Sequence, residues 1–300
     1  MKRKVAKIGP STLMVSLPNK WARKFGVSKG DEVEVEEDGD SLIINLGKLK
    51  SGKSKTLNVH DLDVMLNRVV GASYKKGYDE VLINFNSSEQ LKSIYDVINT
   101  MWTGFEVVEQ EKGHIKMKQI TEVNKNDFAG MINRAMLFLI STADESRKAA
   151  EDENKEHLKA VVLRDQTQNK YCDFCRRVLN KTDIENSNAI YYIVEQVEKI
   201  GDFYRDLSRY LVENKVSKDT VRLLAEINYN LQNFYSLYHK FDLKSFEDFG
   251  RKFKSTNKKI KDASLKADKN SSVALNYLSI INGAVFDMNG ALLVMHLEHI

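Results

Sequence analysis

Apolar residues recur with more than one spacing along this 300-residue chain. In residues 1–48 they alternate with polar residues, which is the spacing of half-buried strands. The turn Asp38-Gly39-Asp40 lies between two such stretches and is typical of a β-hairpin. We predict a short helix at 19–25 that ends at Gly26, and strands at 5–8, 13–17, 32–36 and 41–44.

Residues 56–122 mix strand and helix spacing, which predicts a small α/β domain. Ser87 and Gln90 have the spacing of a capping box, so a helix is expected to begin there and to continue to Met101. A second helix is predicted at 61–76, and strands at 80–85, 105–109 and 115–119. The polar residues 49–55 are predicted to be a flexible linker.

From residue 124 onward nearly every segment has the 3.6-residue spacing of amphipathic helices. We predict six helices, at 126–152, 156–180, 184–213, 218–240, 244–267 and 271–298. A division into three and three indicates two three-helix bundles. The predicted fold class is therefore multidomain α+β, with domains at 1–48, 56–122 and 124–300.

Composition agrees with a largely helical protein. Residues 19–300 contain no proline, which breaks helix interiors. The N-terminus lacks the apolar stretch of a signal peptide, so we expect a cytoplasmic protein. The uncharged stretch 270–286 contains Asn, Ser and Tyr, which predicts a buried bundle helix rather than a membrane span. Cys172 and Cys175 are expected to be ordinary helix thiols, because zinc normally needs four ligands.

Charge is distributed unevenly at the N-terminus. Residues 1–30 carry eight Lys or Arg and no acid, whereas residues 31–40 carry seven acids and no base. This asymmetry indicates a surface for a polyanion, and double-stranded DNA is the partner that we expect. A domain of this size buries too little apolar surface to be stable alone, so we predict a homodimer through residues 1–48.

This segment resembles the AbrB (SpoVT-AbrB) swapped-hairpin domain. The resemblance is carried by Val5-Ala-Lys-Ile-Gly9, Leu17-Pro18, Arg23-Lys-Phe-Gly26-Val27, Lys29-Gly30-Asp31 and the hairpin at 33–44. It implies two interleaved chains in one β-barrel, with DNA contacts from Arg3 and Arg23. Ser11-Thr12 and Ala22 stand where that family has further arginines. The predicted DNA-binding residues are Arg3, Lys4, Lys7, Lys20, Arg23 and Lys24.

Carboxylates recur at four-residue spacing on two predicted helices. Glu198, Asp202 and Asp206 share one face of the third helix, because positions four apart drift by only about 40°. The second helix repeats this spacing with Asp165, Asn169 and Asp173. Such rows can hold a divalent cation across a bundle, but acids at this spacing are also common on solvated faces. The residues alone leave both interpretations open.

The motif Glu198-x-x-x-Asp202-x-x-x-Asp206, after Tyr191-Tyr-Ile-Val, resembles the signature of PhoU proteins. Residues 163–171 also resemble the second helix of PhoU proteins. Residues 74–79 and 104–108 are similar to segments of archaeal-type phosphate uptake regulators, which join an AbrB domain to a PhoU module. The resemblance implies a six-helix phosphate-signalling domain that binds iron or zinc. At the corresponding positions of the sixth helix stand Gly283, Asp287 and Ala291, which keep one of the three ligands, so a second cluster of the family type is not expected. Asp287, on this apolar helix, is expected either to have a partner, which could be basic or a metal, or to have a shifted pKa.

Three functional hypotheses follow. The first is a DNA-binding transcriptional regulator linked to phosphate uptake, in which the helical domain senses or relays the signal. The alternative is an accessory protein that docks on a phosphate transporter or signalling partner, with the hairpin domain only dimerising. A metal-dependent enzyme is the third, and for the hairpin domain itself an antitoxin role is a further alternative, although about 250 residues follow that domain. The chain contains no nucleophile elbow or phosphate loop, so we expect no catalysis, and His296 and His299 are expected to lie at a frayed end.

Overall fold

Two separate units make up the chain in the computed structural model, Met1–Gly52 and Lys53–Ile300. The structure describes residues 2–39, 41–45, 52–121 and 125–300. The predicted linker at 49–55 therefore falls partly outside the described residues, as does Asp40 of the predicted turn. The two predicted domains that follow the linker form a single compact unit.

The N-terminal unit consists of two antiparallel hairpins on either side of a short helix. Strands β1 (Val5–Ile8) and β2 (Thr12–Val15) form the first hairpin, and β3 (Glu34–Asp38) and β4 (Ser41–Asn45) form the second. Helix α1 (Asn19–Lys24) ends before Gly26, whose φ of +67° suits glycine. These elements confirm the predicted strands and helix.

The C-terminal unit begins with a four-stranded sheet in the order β5 (Ser54–Asn58), β6 (Glu80–Asn84), β8 (His114–Gln119) and β7 (Phe105–Glu111). Strands β5 and β6 are parallel, and the other pairs are antiparallel. The predicted linker is wrong at residues 54 and 55, because β5 begins there and pairs with β6.

Two helices belong to this sheet, α2 (Leu66–Lys75) and α3 (Ser88–Met101). The capping box is confirmed at Ser87, whose Oγ accepts a hydrogen bond from the Gln90 backbone N–H. Helix α2 starts five residues later than predicted. The Gln90 amide explains this delay, because it donates to the carbonyls of Val59, His60 and Leu62 and so holds the preceding segment in a turn.

The remainder of the unit is helical. Its helices are α4 (Lys125–Glu151), α5 (Lys155–Leu163), α6 (Asp165–Lys181), α7 (Ser187–Glu213), α8 (Lys218–His239), α9 (Leu243–Ser264) and α10 (Lys269–His296). Their apolar faces share one continuous core, and α2 and α3 pack against α6. Five of the six predicted helices are confirmed to within a few residues at each end.

The second predicted helix is divided in two at Arg164. Its guanidinium donates to Ser141 and Thr142 of α4, both at 2.9 Å, and lies 4.3 Å from the centre of the Phe138 ring. These contacts with α4 hold the turn between α5 and α6. The prediction of one continuous helix is wrong, because the contacts of Arg164 with α4 interrupt the helix at this residue.

Helix α10 is the one helix, among the described residues, that is long and apolar enough to cross a membrane. It packs on α7, α8 and α9, and 44% of its most apolar window is buried within the protein. Asp287 lies on the exposed side of this helix. The expectation of a basic partner is wrong, because the carboxylate is exposed to solvent and forms no ion pair with a described residue.

Candidate nucleic-acid interface and carboxylate clusters

The predicted DNA-binding residues are all exposed in the N-terminal unit. Arg3 and Lys4 precede β1, and Lys7 lies on it, whereas Lys20, Arg23 and Lys24 belong to α1. Within the part of this unit that the structure describes, none of the six forms an ion pair. Arg23 and Lys24 occupy the last turn of α1, where the helix dipole favours cations. The unit thus presents uncompensated positive charge that can bind phosphate groups.

Large apolar side chains are also exposed throughout this unit. On β4, Leu42 is 65% exposed, and Val35 on β3 is 55% exposed; they share one face of the hairpin with Ile44. Val5, Leu13 and Val15 of the first hairpin are each more than half exposed. No described side chain of the unit is buried. One copy of this unit therefore has no hydrophobic core. An interleaved second copy would cover its exposed apolar side chains.

The predicted metal ligands separate into two clusters, and each surrounds an arginine. In the first, Arg176 on α6 is only 1% exposed, and its Nη1 donates to Asp173 Oδ1 at 2.7 Å. Its Nε lies 2.5 Å from Glu195 Oε1, and its Nη2 pairs with Glu198. Burial raises the pKa of the carboxyl groups of Asp173 and Glu198, and the positive charge of Arg176 only partly opposes this rise.

The second cluster surrounds Arg205 on α7. Its Nη1 donates to Asp165 Oδ2 at 3.0 Å and to Asp202 Oδ1 at 2.5 Å, and its Nε donates to Asp206 Oδ1 at 2.9 Å. Asn169 donates to the same Asp165 oxygen at 3.2 Å. The pKa of Asp202 is raised, first by burial and then by the neighbouring carboxyl of Asp165, against the attraction of Arg205.

The two clusters differ in how well they fit a metal ion. The oxygens around Arg176 already neutralise a fully enclosed guanidinium, so Glu198 and Asp173 do not fit a cation as they stand. Near Arg205, however, Asp165 Oδ1 and Asn169 Oδ1 are buried without a hydrogen-bond partner. Together with Asp202 they offer the oxygen donors that hard cations prefer.

A different group of possible metal ligands lies on the β7–β8 hairpin and was not predicted. Glu109, Glu111 and His114 have ligand atoms within 4.8 Å of one another, and His114 Nε2 lies 2.9 Å from Glu109 Oε1. Both glutamates are exposed. Among the described residues this is the one group of three His, Cys, Asp or Glu side chains whose ligand atoms lie this close together, and it includes none of the predicted ligands.

Cys172 and Cys175 are free and buried, and burial raises the pKa of the Cys175 thiol to about 12. Both therefore fit the predicted packing role, because reactive cysteines need an accessible thiolate. The ring of His296 stacks on Phe241 with centroids 4.7 Å apart. The side chain of His299 lies outside the described part of the structure.

Arg177 is a second buried arginine of α6 that the sequence patterns did not indicate. It is fully buried on α6, and its guanidinium donates to the Tyr74 carbonyl at 2.8 Å, to Asp79 at 2.9 Å and to Gln119 at 2.7 Å. It also lies 4.8 Å from the centre of the Phe105 ring. Arg177 thereby joins the helical part of the unit to α2 and to the sheet.

The exposed cations before and on β1 and on α1 form a basic surface of the kind that binds nucleic-acid phosphates. The family model described as "Antidote-toxin recognition MazE, bacterial antitoxin" matches residues 7–54. This region is therefore a MazE/AbrB-type swapped-hairpin domain, and proteins of this family typically bind DNA as dimers. No curated protein and no solved structure matches the chain.

Proposed function

We propose that this protein is a DNA-binding transcriptional regulator, that its N-terminal domain dimerises on duplex DNA and that its helical part senses or relays a signal linked to phosphate uptake. The observation that carries the DNA-binding part is the match of residues 7–54 to the MazE family. The unpaired cations of the same unit support it. Dimerisation would also double the number of these cations on one duplex.

Exposed apolar residues support the proposed dimer. Val35, Leu42 and Ile44 lie on one face of the second hairpin, where Glu37 is the cross-strand partner of Leu42. A single two-stranded hairpin is at best marginally stable in water. A second copy of this unit is the occupant that fits, because the family to which the unit belongs typically pairs in this way.

The link to phosphate rests on the resemblance of the α7 motif and its neighbouring segments to PhoU proteins. The helical part supports this link in one respect, because two arginines connect the acids of α7 with those of α6. Arg205 pairs with Asp202 of α7 and with Asp165 of α6. Arg176 pairs with Glu198 of α7 and with Asp173 of α6. In this proposal iron or zinc is held by Asp165, Asn169 and Asp202, and it would stabilise the contact between α6 and α7. We assign no catalysis to this protein.

The metal part of the proposal predicts that the purified protein contains iron or zinc, and that Asp202→Ala removes it. Asp219→Ala is the matched control, because Asp219 is an exposed acid whose one ion pair among the described residues is with its neighbour Arg222. Elemental analysis of the parent and both variants decides the question. A parent protein without metal would contradict the proposed site, as would metal retained by Asp202→Ala.

The DNA-binding part predicts a strong dependence on salt. The affinity of the full chain for duplex DNA should fall about a thousandfold between 50 and 200 mM salt if six phosphates are contacted, because each neutralised phosphate releases condensed counterions. Fluorescence anisotropy with a labelled duplex measures this loss. Failure to bind duplex DNA at 50 mM salt would contradict the proposal.

A second candidate function has one specific observation in its favour. The matching family is described as one of antitoxins that recognise a toxin. In the antitoxin hypothesis the chain would bind a toxin protein as well as DNA. Against this, the matched region is followed by about 250 residues that fold into a sheet and a helical core of their own.

A further inference from the structure

Helix α9 carries the densest basic segment of the C-terminal unit. Between Arg251 and Lys261, six of eleven residues are Lys or Arg and none is Asp or Glu. The helix is attached to the core by Phe249, Thr256 and Ile260, which lie on its buried face. Most of the basic residues point the other way, so the protein keeps a concentrated positive charge at its surface.

Three of these side chains form what we call the α9 lysine row, namely Lys254, Lys258 and Lys261. Their spacing of four and three residues places them on one face, at successive rises of about 6 and 4.5 Å along the helix. All three are exposed. Like charges at this spacing destabilise a helix, so the row is not explained by the stability of α9.

The neighbours of the row have partners, whereas the row itself has none among the described residues. Lys259 pairs with Glu226 of α8 at 2.8 Å, and Arg251 pairs with Glu247 at 3.1 Å. Lys252 lies over the Tyr229 ring, 4.5 Å from its centre. The three lysines of the row are therefore free to bind an external anion.

We propose that the α9 lysine row binds the phosphate backbone of duplex DNA, in addition to the contacts of the N-terminal domain. Three ammonium groups spaced along about 10.5 Å suit a polymer that carries one negative charge per 1.7 Å of its axis. A lipid surface suits the row less well. Interfacial helices insert an apolar face beside their cations, and the apolar face of α9 is buried in the core.

This inference rests on the proposed DNA binding and extends it to a second surface of the same chain. Two contacts on one chain strengthen each other, because the second binds at a high effective concentration once the first has formed. Contacts to phosphate carry no base information, so the row would increase affinity for all sequences equally.

The test compares two triple variants of the full chain on the same duplex, across 50 to 200 mM salt. Lys254→Gln, Lys258→Gln and Lys261→Gln together remove the row. Lys148→Gln, Lys159→Gln and Lys218→Gln remove the same charge from other exposed positions of the helical part. The row variant should lower affinity at least about tenfold at 0.1 M salt and reduce the salt slope by up to about 2.7, because each phosphate contact contributes about 0.9. The control should match the parent.

Several results would overturn the inference. Equal losses in both triple variants would show an effect of net charge alone. Parent-like binding by the row variant, when Arg23→Glu weakens binding, would reject the row and leave the N-terminal contacts standing. A parent that binds no duplex would reject both proposals together. Loss of adsorption to phosphatidylserine vesicles without loss of DNA affinity would assign the row to membranes. Unchanged circular dichroism confirms that the row variant is folded.

Discussion

Leu42→Asp is expected to convert the protein from a dimer to a monomer of 34.4 kDa. Leu42 is 65% exposed on a single chain and shares the apolar face of the second hairpin with Val35 and Ile44. In the proposed dimer this face is covered, so the variant would bury a carboxylate without a partner. A cost of about 3 kcal/mol corresponds to at least a hundredfold weaker dimer.

Leu163→Asp is the matched control, because Leu163 is a leucine of the helical part that is 71% exposed. It should leave the dimer intact. Light scattering of the parent and both variants gives the masses directly. A parent of monomer mass would contradict the proposed dimer. Dissociation by Leu163→Asp rather than by Leu42→Asp would assign the dimer interface to the helical part.

Arg177→Ala is expected to lower the free energy of unfolding by about 3 kcal/mol. The substitution leaves a cavity beside Tyr74 and Phe105 and removes a donor from the Tyr74 carbonyl and from Gln119. Asp79 keeps an ion pair with Lys181, which limits the loss. The cost arises mainly from the cavity and from the lost hydrogen bonds of a buried cation, because Gln119 keeps Lys181 as a donor and the Tyr74 carbonyl keeps the Gly77 N–H.

Urea denaturation measures this loss, and Arg147→Ala provides the comparison. Arg147 pairs with Glu151 at the surface of α4, so its replacement should change stability by no more than about 0.5 kcal/mol. An equal effect of the two substitutions would show that the Arg177 contacts do not hold the sheet to the helices.

Sequence patterns predicted most of the elements, and the exceptions share a physical cause. Strand β5 is short and polar, so its residues resemble a linker until pairing with β6 gives them a place in the sheet. Residues 155–181 keep a helical rhythm across Arg164, and only its contacts with α4 divide the segment. In both cases the local structure depends on contacts with residues that are far away in the sequence.

The same limit applies to the carboxylate clusters. The four-residue spacing of Glu198, Asp202 and Asp206 correctly indicated one shared helix face. It did not indicate that Arg205, three residues after Asp202, would lie among the acids, or that Arg176 would reach Glu198 from α6. An arginine within an acidic motif is a sequence signal that an ion-pair cluster competes with a metal site.

The most direct test of DNA binding by the N-terminal domain is the duplex affinity of Arg23→Glu compared with that of Arg222→Glu. Both arginines are exposed, and each substitution makes the same change in net charge, but Arg222 lies on α8 of the helical part. The proposal predicts that Arg23→Glu weakens binding at least about tenfold at low salt, because each chain loses a phosphate contact and gains a repulsive charge. Arg222→Glu should bind like the parent. Undiminished binding by Arg23→Glu at 50 mM salt would contradict the assignment of this surface to DNA.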